Sequence, residues 1–290
     1  MDIFNLLDSK FNLCKQVDGL NSMLFRESKL WNCSFYTFAN VFEKRLLRSW
    51  PYSMGRISFE ELLLDLGLYD HIVTRNVIKI ETEWQALCCL QLDINVLLYA
   101  KNKKIFDDYS WDKEDFFDEV TQKYTYILDK SGLNLIKHPQ ENYYIIVPRD
   151  EKLKAIAEKT NEDTAFLLYE YTSPLLKGNY KEKRRILKLL ANSIEPIMKV
   201  FNEKYSSGLI HEIFDDLSMA LNNFEIRHTN TNPSMPNYYK EPLTRYSFEE
   251  WEEIYDTTYQ LMLDAFLISN YTNIYSSVVK KHKSNIGLKK

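Results

Sequence analysis

The polar side chains best suited to acid–base chemistry and phosphate binding lie together near residue 225. Asn222 and Asn223 precede Arg227 and His228 at the end of a predicted amphipathic helix, 209–227. Residues four apart share one face of a helix, so Asn223 and Arg227 are expected to be neighbours. An arginine fork can hold two phosphate oxygens, and an imidazole can move a proton from a ribose 2′-OH. This spacing favours RNA binding and a cleavage reaction that needs no metal.

The last long helix predicted from the sequence carries a second set of such side chains. Asp256 and Tyr259 lie within one turn of each other on it. In one interpretation Asp256 pairs with Arg227 or His228, and Tyr259 lines the same pocket. In the alternative, the tyrosine packs in the core and the carboxylate lies at the rim, because aromatic side chains at helical spacing are usually core residues.

The residues near position 225 also have a purely structural interpretation. Two asparagines weaken a helix end, Arg227 can bond terminal carbonyl groups, and His228 can begin an ordered loop. The one dense basic run, residues 181–188, can follow a nucleic-acid backbone or form a solvated helix face. The spacing alone leaves both interpretations open.

Composition restricts the class of protein to which these residues can belong. The chain has 290 residues, of which 45% are hydrophobic, with only 7 glycines and 8 prolines, which favours a mainly helical protein of one or two domains. A net charge of −4 gives no overall field that attracts nucleic acid or a membrane. No metal-ligand spacing, phosphate loop or cofactor motif occurs, so no cofactor is expected.

Cysteine usage and the absence of targeting patterns predict a cytoplasmic location. Cys14, Cys33, Cys88 and Cys89 form no CxxC pair, so all four are expected to be free thiols in a reducing compartment. The N-terminus lacks the pattern of a signal peptide, and no run of about 18 apolar residues occurs. No membrane association is therefore expected.

The elements that must position the candidate residues follow from periodicity and capping. We expect an all-α or mainly α helical bundle with at most one small β-hairpin, formed by residues 133–136 and 143–147. An N-terminal helical region, 1–140, is expected to precede a C-terminal helical module, 141–290.

Two local signals place helix boundaries in the C-terminal module. Pro196 marks a kink or a new helix start. Ser247 and Glu250 form a capping box that opens the last helix, which is expected to end near Ser269.

Several segments of the C-terminal half carry a family resemblance. They are the strand-like 144–147, the segment 176–187, the sequence LNNFEIRHTN at 221–230 and the sequence YDTTYQL at 255–261. Together they resemble a family of functionally uncharacterised bacterial proteins found on mobile elements of low-GC Gram-positive genomes. This resemblance covers about half of the chain and implies one module without implying an activity.

An arginine followed by a polar residue at a helix end also resembles the HEPN superfamily. HEPN domains are small helical bundles with an Arg, a polar residue and a His a few positions later, and several act as metal-independent RNases in phage defence. Arg227 and His228 match the start of this motif, whereas Asn232 stands where the second His belongs. An asparagine cannot take up a proton as an imidazole can. The resemblance also implies a homodimer, because HEPN active sites are commonly built at dimer interfaces.

Two functions of different classes remain as predictions. The first is a phage-defence or mobile-element protein with a HEPN-like module that binds RNA and, if it is an enzyme, cleaves it without a metal. Its predicted catalytic residues are Arg227 and His228, and its predicted substrate-binding residues are Asn222, Asn223, Asn232, Asp256 and Tyr259. The second is a non-catalytic interaction or scaffolding component that binds a protein partner.

Overall fold

A computed structural model describes residues 11–25, 80–103, 113–205, 207–227 and 246–285 of the chain. It confirms the predicted fold class, because the described part is mainly helical with one two-stranded antiparallel hairpin. The chain divides into two compact units, Met1–Arg149 and Asp150–Lys290. No helix of the described part is both long enough and apolar enough to cross a membrane.

The first unit is built on the pairing of helices α1 (Leu13–Phe25) and α2 (Glu83–Asn102). Thr82 starts α2 with a capping box, in which its Oγ1 accepts from the Gln85 N–H at 3.2 Å and Gln85 Oε1 accepts from the Thr82 N–H at 3.1 Å. The box satisfies backbone donors that have no partner within the helix. Cys14, Cys88 and Cys89 are free thiols, and Cys33 lies outside the described residues.

Helix α3 (Lys113–Lys130) leads into the hairpin of strands β1 (Leu133–Lys137) and β2 (Tyr144–Pro148). This hairpin confirms the predicted pairing of 133–136 with 143–147. Polar side chains of α2 bond the open edge of β2: Asn95 exchanges two hydrogen bonds of 2.7 and 2.8 Å with the backbone of Tyr144. An edge strand exposes unpaired backbone groups, and these bonds satisfy them within the unit.

The second unit begins with two short capped helices. Helix α4 (Glu151–Ala157) starts at Asp150, and helix α5 (Glu162–Tyr171) starts at Asn161. In each case the side-chain oxygen accepts a hydrogen bond from a backbone N–H three residues later, at 3.0 and 2.8 Å respectively. Such caps satisfy donors of the first helical turn and therefore fix where each helix starts.

Three longer helices complete the second unit: α6 (Tyr180–Lys204), α7 (Leu209–Asn223) and α8 (Phe248–Asn285). Helix α8 packs on α6 and α7 around a shared apolar core. The core includes the fully buried side chains Ile186, Leu190, Phe214, Leu217, Tyr255 and Met262. Helix α6 continues through Pro196, so the alternative of a new helix start at that residue is wrong.

The start of α8 confirms the predicted capping box. The Ser247 N–H donates to Glu250 Oε2 at 2.7 Å, and the Glu250 N–H donates to Ser247 Oγ at 3.2 Å. The helix then runs for 38 residues to Asn285, well past the predicted end near Ser269.

We expect Ser247→Ala to lower the free energy of unfolding by about 0.5–2 kcal/mol, because alanine leaves the Glu250 N–H without its acceptor. Denaturant melts of the variant and the parent measure this difference. Ser247→Asp, which keeps an acceptor at the cap, is the control and should retain most of the stability. Superimposable melts of Ser247→Ala and the parent would contradict the assignment.

Candidate functional site

The predicted pairing of Asn223 and Arg227 on one helix face is wrong, because α7 ends at Asn223. The chain then turns, and Glu225 adopts a positive φ of 56°. A non-glycine residue in this left-handed region cannot continue an α-helix. Arg227 therefore lies beyond the helix, and its N–H donates to the Leu221 carbonyl at 3.0 Å.

The guanidinium of Arg227 contacts helix α6. Its Nη2 lies 3.2 Å from Glu195 Oε1 and 3.8 Å from Met198 Sδ. The arginine side chain is 18% exposed and the glutamate side chain 59%. The Arg227 side chain thus ties the turn after α7 to α6 through a partly exposed ion pair, while its backbone N–H bonds a terminal carbonyl group of α7.

A second arginine holds the same turn from the α6 side. Arg184 Nε donates to the Glu225 carbonyl at 2.8 Å, and Arg184 Nη2 lies 3.1 Å from Glu225 Oε2. The Glu225 side chain is buried. One guanidinium therefore binds both the backbone and the carboxylate of the left-handed residue, which stabilises a conformation that is otherwise unfavourable.

Asp256 binds Lys183 and Tyr171, so the interpretation in which it pairs with Arg227 is wrong. Lys183 Nζ lies 2.8 and 3.0 Å from the two Asp256 oxygens and 2.7 Å from Glu252 Oε1. The Tyr171 hydroxyl donates to Asp256 Oδ1 at 2.8 Å. Asp256 therefore accepts hydrogen bonds from a hydroxyl group on α5 and from a buried ammonium group on α6.

Tyr259 is a core residue, as the structural alternative expects. Its ring stacks on that of Tyr171 with centroids 4.1 Å apart, and its hydroxyl donates to the Leu168 carbonyl at 2.7 Å. Burial raises the pKa of the Tyr259 hydroxyl far above its usual value, so it stays protonated. Tyr259 therefore positions α8 against α5 and is poorly placed to exchange a proton with a ligand.

Asn222 and Asn223 lie half-buried at the end of α7. Asn223 Oδ1 is buried and has no hydrogen-bond partner among the residues that the structure describes. The predicted catalytic His228 and the predicted substrate-binding Asn232 lie outside the described residues. Of the predicted site, the structure brings Asn222, Asn223 and Arg227 together around the turn after α7, and it brings Asp256 and Tyr259 together at a separate cleft beside Lys183.

Three cations of the basic run, residues 181–188, bind carboxylates of the second unit. Arg185 contacts Glu170 and Glu182, alongside the pairs already described for Lys183 and Arg184. The three adjacent cations therefore each have an acidic partner within the second unit. This pairing disfavours the nucleic-acid interpretation of the run, but the burial of Lys183 also departs from a fully solvated helix face.

An acidic cleft with a volume of about 740 Å³ surrounds Lys183 and the two carboxylates that bind it. Six charged side chains line it: Glu249, Glu252, Glu253, Asp256, Lys177 and Lys183. Four carboxylates against two ammonium groups leave the cleft negative, and a negative cleft disfavours a phosphate ligand. Burial alone would raise the pKa of Glu252, but its hydrogen bonds from Lys183 and the Gly178 N–H outweigh burial and lower this pKa, so the carboxylate stays ionised.

An apolar groove lies between α7 and α8, on side chains that were not predicted as a site. We call it the α7–α8 groove. It has a volume of about 560 Å³ and is lined by Asp216, Met219, Ala220, Phe224, Tyr246, Glu250, Glu253, Ile254, Thr257, Thr258 and Leu261. Met219 is 54% exposed, and the three carboxylates are exposed at the rim. The sequence signals this groove only through Ile254 and Leu261, which are seven residues apart and therefore lie on one face of α8.

The search for metal-binding groups and the comparisons with known proteins give no further indication of function. In the described ranges, no group of three or more His, Cys, Asp or Glu side chains could hold a metal ion. Comparison of the chain with protein-family models, curated proteins and solved structures finds no match. The resemblances to a mobile-element family and to the HEPN superfamily stay predictions.

Proposed function

We propose that this chain is a non-catalytic protein-interaction component, and that the α7–α8 groove binds an amphipathic helix of a partner protein. The observation that carries the proposal is the groove itself. It is an apolar depression between two packed helices, with Met219, Ile254 and Leu261 on its walls. Laying the apolar face of a helix into such a groove is a common mode of peptide recognition.

The exposed methionine supports this assignment. A long, unbranched thioether side chain adapts to different apolar partners and recurs at surfaces that bind helices. Met219 is 54% exposed and Leu261 is half-buried, so a ligand can remove further apolar surface from water. At about 560 Å³, the groove has room for several side chains of one helix face.

The internal pairing of the cations supports the same proposal over RNA binding. Arg184, Arg185 and Lys183 each contact a carboxylate, and Arg227 contacts Glu195. An RNA phosphate would have to displace these partners before the cations could bind it. Non-specific binding of nucleic acid depends on free cations that replace the counterions of phosphates, so this pairing weakens it.

A neutral model helix tests the proposed function. The probe is a peptide with leucine at i, i+3, i+4 and i+7 and glutamine elsewhere, and its binding is measured by fluorescence anisotropy. We expect Met219→Asp to weaken binding at least about tenfold, because it places a charge against the apolar face of the probe. Val200→Asp is the matched control: Val200 is also exposed, at 58%, but lies on α6 away from the groove. Equal binding by both variants would contradict the proposal.

The RNase hypothesis is tested with Arg227→Ala and Glu195→Gln, which break one ion pair from its two sides. A partly exposed ion pair contributes about 0–1 kcal/mol, so both variants should show a similar, small decrease in melting temperature. We expect no RNA cleavage from the parent, from either variant or from His228→Ala. Cleavage by the parent that Arg227→Ala and His228→Ala abolish but Glu195→Gln retains would overturn the proposed function.

A further inference from the structure

The rim of the α7–α8 groove is acidic in the part of the chain that the structure describes. Asp216, Glu250 and Glu253 line the groove with exposed side chains, and no Lys or Arg occurs in the lining that the structure describes. Asp216 lies on α7, and the two glutamates lie on α8. The carboxylates therefore stand on both walls of the groove.

The two helices that form the walls extend this negative charge. Helix α7 contains Glu212, Asp215 and Asp216 and no Lys or Arg. The segment 248–279 of α8 likewise has no Lys or Arg. Of its six carboxylates, Glu252 and Asp256 bind Lys183 and Asp264 binds Lys152, so the negative charge of this wall comes from Glu249, Glu250 and Glu253. Charges of one sign along both walls sum to a field that a single exposed carboxylate would not produce.

We propose that the helix bound in the α7–α8 groove is basic, with an apolar stripe and Lys or Arg along both flanks of that stripe. This inference rests on the proposed function and specifies the partner chemistry. The apolar face of the helix would cover Met219, Ile254 and Leu261, while its flanking cations would reach Asp216 on one wall and Glu253 on the other. A helix about 10–12 Å wide with its side chains presents both flanks at once, so one ligand can contact both walls.

Charge complementarity of this kind acts mainly on selectivity and on the rate of association. A negative rim attracts a basic helix and repels an acidic one, and the repulsion excludes wrong partners. Exposed charges are screened at high ionic strength, since the Debye length falls from about 10 Å at 0.1 M salt to about 3 Å at 1 M. The preference for a basic over an acidic helix should therefore be strong at low salt and weak at high salt. The apolar contribution to the binding free energy should remain at both salt concentrations.

The test uses three model helices that share one leucine stripe and differ only in their flanking residues, which are lysine, glutamine or glutamate. We expect the lysine peptide to bind the full chain at least about tenfold more tightly than the glutamate peptide at 50 mM salt, with the difference shrinking at 500 mM. The double variant Asp216→Lys with Glu253→Lys should reverse the order. Glu203→Lys, an exposed carboxylate on α6 outside the groove, is the matched control and should leave the order unchanged.

The outcomes separate this inference from the proposed function. Equal binding of the three peptides, with Met219→Asp still weakening all of them, would overturn the basic-helix inference and keep the interaction function. No binding of any peptide would overturn both.

Two other results would assign the groove to a different occupant. Self-association of the chain that the double variant abolishes would assign the groove to a second copy. Binding only after residues 229–244 are replaced by glycine and serine would assign it to the chain itself. Either result would overturn the inference.

Discussion

Replacing Glu252 and Asp256 together by Gln and Asn should lower the free energy of unfolding of the second unit by about 3 kcal/mol. The Lys183 side chain is only 9% exposed and has both carboxylates within 3.0 Å of its Nζ. The amides keep the shape of the carboxylates but remove their charge, so the ammonium is left buried without a counter-charge. The cost stays at the lower end for a buried pair because the Asp256 side chain is half exposed.

The triple variant that adds Lys183→Met is the decisive control. Methionine has a similar length and no charge, so it should recover most of the lost stability. Hydrogen exchange of peptides from α6, followed by mass spectrometry, reports the second unit specifically. If the triple variant is less stable than the double variant, Lys183 contributes through contacts other than this ion pair, and our account of the cluster is wrong.

The parts of the fold that were predictable carry their signal within a few residues. The hairpin follows from β-rich residues on either side of a short polar gap, and the start of α8 follows from Ser247 and Glu250 three positions apart. Both signals are local, because turn chemistry and capping depend on neighbouring residues. The mainly helical class followed from the scarcity of glycine and proline together with long amphipathic stretches.

The end of α7 shows where local signals fail. Continuing apolar periodicity to Phe224 predicted a helix through Arg227, but the chain turns at Glu225. Asn222 and Asn223 signalled a weakened helix end, and α7 does end at Asn223, but the left-handed residue itself is a glutamate, which carries no turn signal. The left-handed residue is held by Arg184, which lies 41 residues earlier on α6. No pattern within α7 contains that information.

The candidate site was predicted from spacing within single helices, and most of its actual partners lie on other helices. Asp256 contacts Lys183 and Tyr171, which are 73 and 85 residues away in the sequence. The α7–α8 groove likewise requires two helices to pack before it exists. Spacing rules identify residues that share a face, but only tertiary packing decides what that face meets.

A buried carboxyl group in the first unit leads to the second large prediction. Asp93 on α2 is 1% exposed and faces Asn21 of α1. Cys89 Sγ and Asn21 Nδ2 each lie 3.5 Å from an Asp93 oxygen, which makes these weak hydrogen bonds. Burial raises the pKa of Asp93 to about 8, and the two hydrogen bonds lower it by less. Asp93 is therefore protonated in the folded protein at neutral pH.

The neutral form is compatible with either orientation of the Asn21 amide in this cluster. Asn21 Oδ1 is buried and has no partner among the described residues, while its Nδ2 faces Asp93. Turning the amide by 180° exchanges the two atoms, which are hard to distinguish in a side-chain amide. A protonated Asp93 can then donate its hydroxyl to Asn21 Oδ1, which an ionised carboxylate cannot do.

The stability of the first unit should therefore fall as the pH rises. The carboxyl loses its proton near pH 4 in the unfolded chain and near pH 8 in the folded one, so between these values the folded state binds one proton more. The stabilisation is fully present below about pH 4 and is lost as the pH approaches 8, at roughly 1 kcal/mol per pH unit. Asp93→Asn, a neutral side chain of the same shape, should remove this slope.

Urea unfolding between pH 5 and pH 8, followed by tryptophan fluorescence, measures this slope. Hydrogen exchange of peptides from α2, measured at the same pH values, assigns the slope to the first unit, in which Asp93 lies. Asp215→Asn, which neutralises an exposed carboxylate on α7, is the matched control and should retain the slope of the parent. An Asp93→Asn protein that loses stability with pH as steeply as the parent would show that Asp93 is already ionised in the folded state.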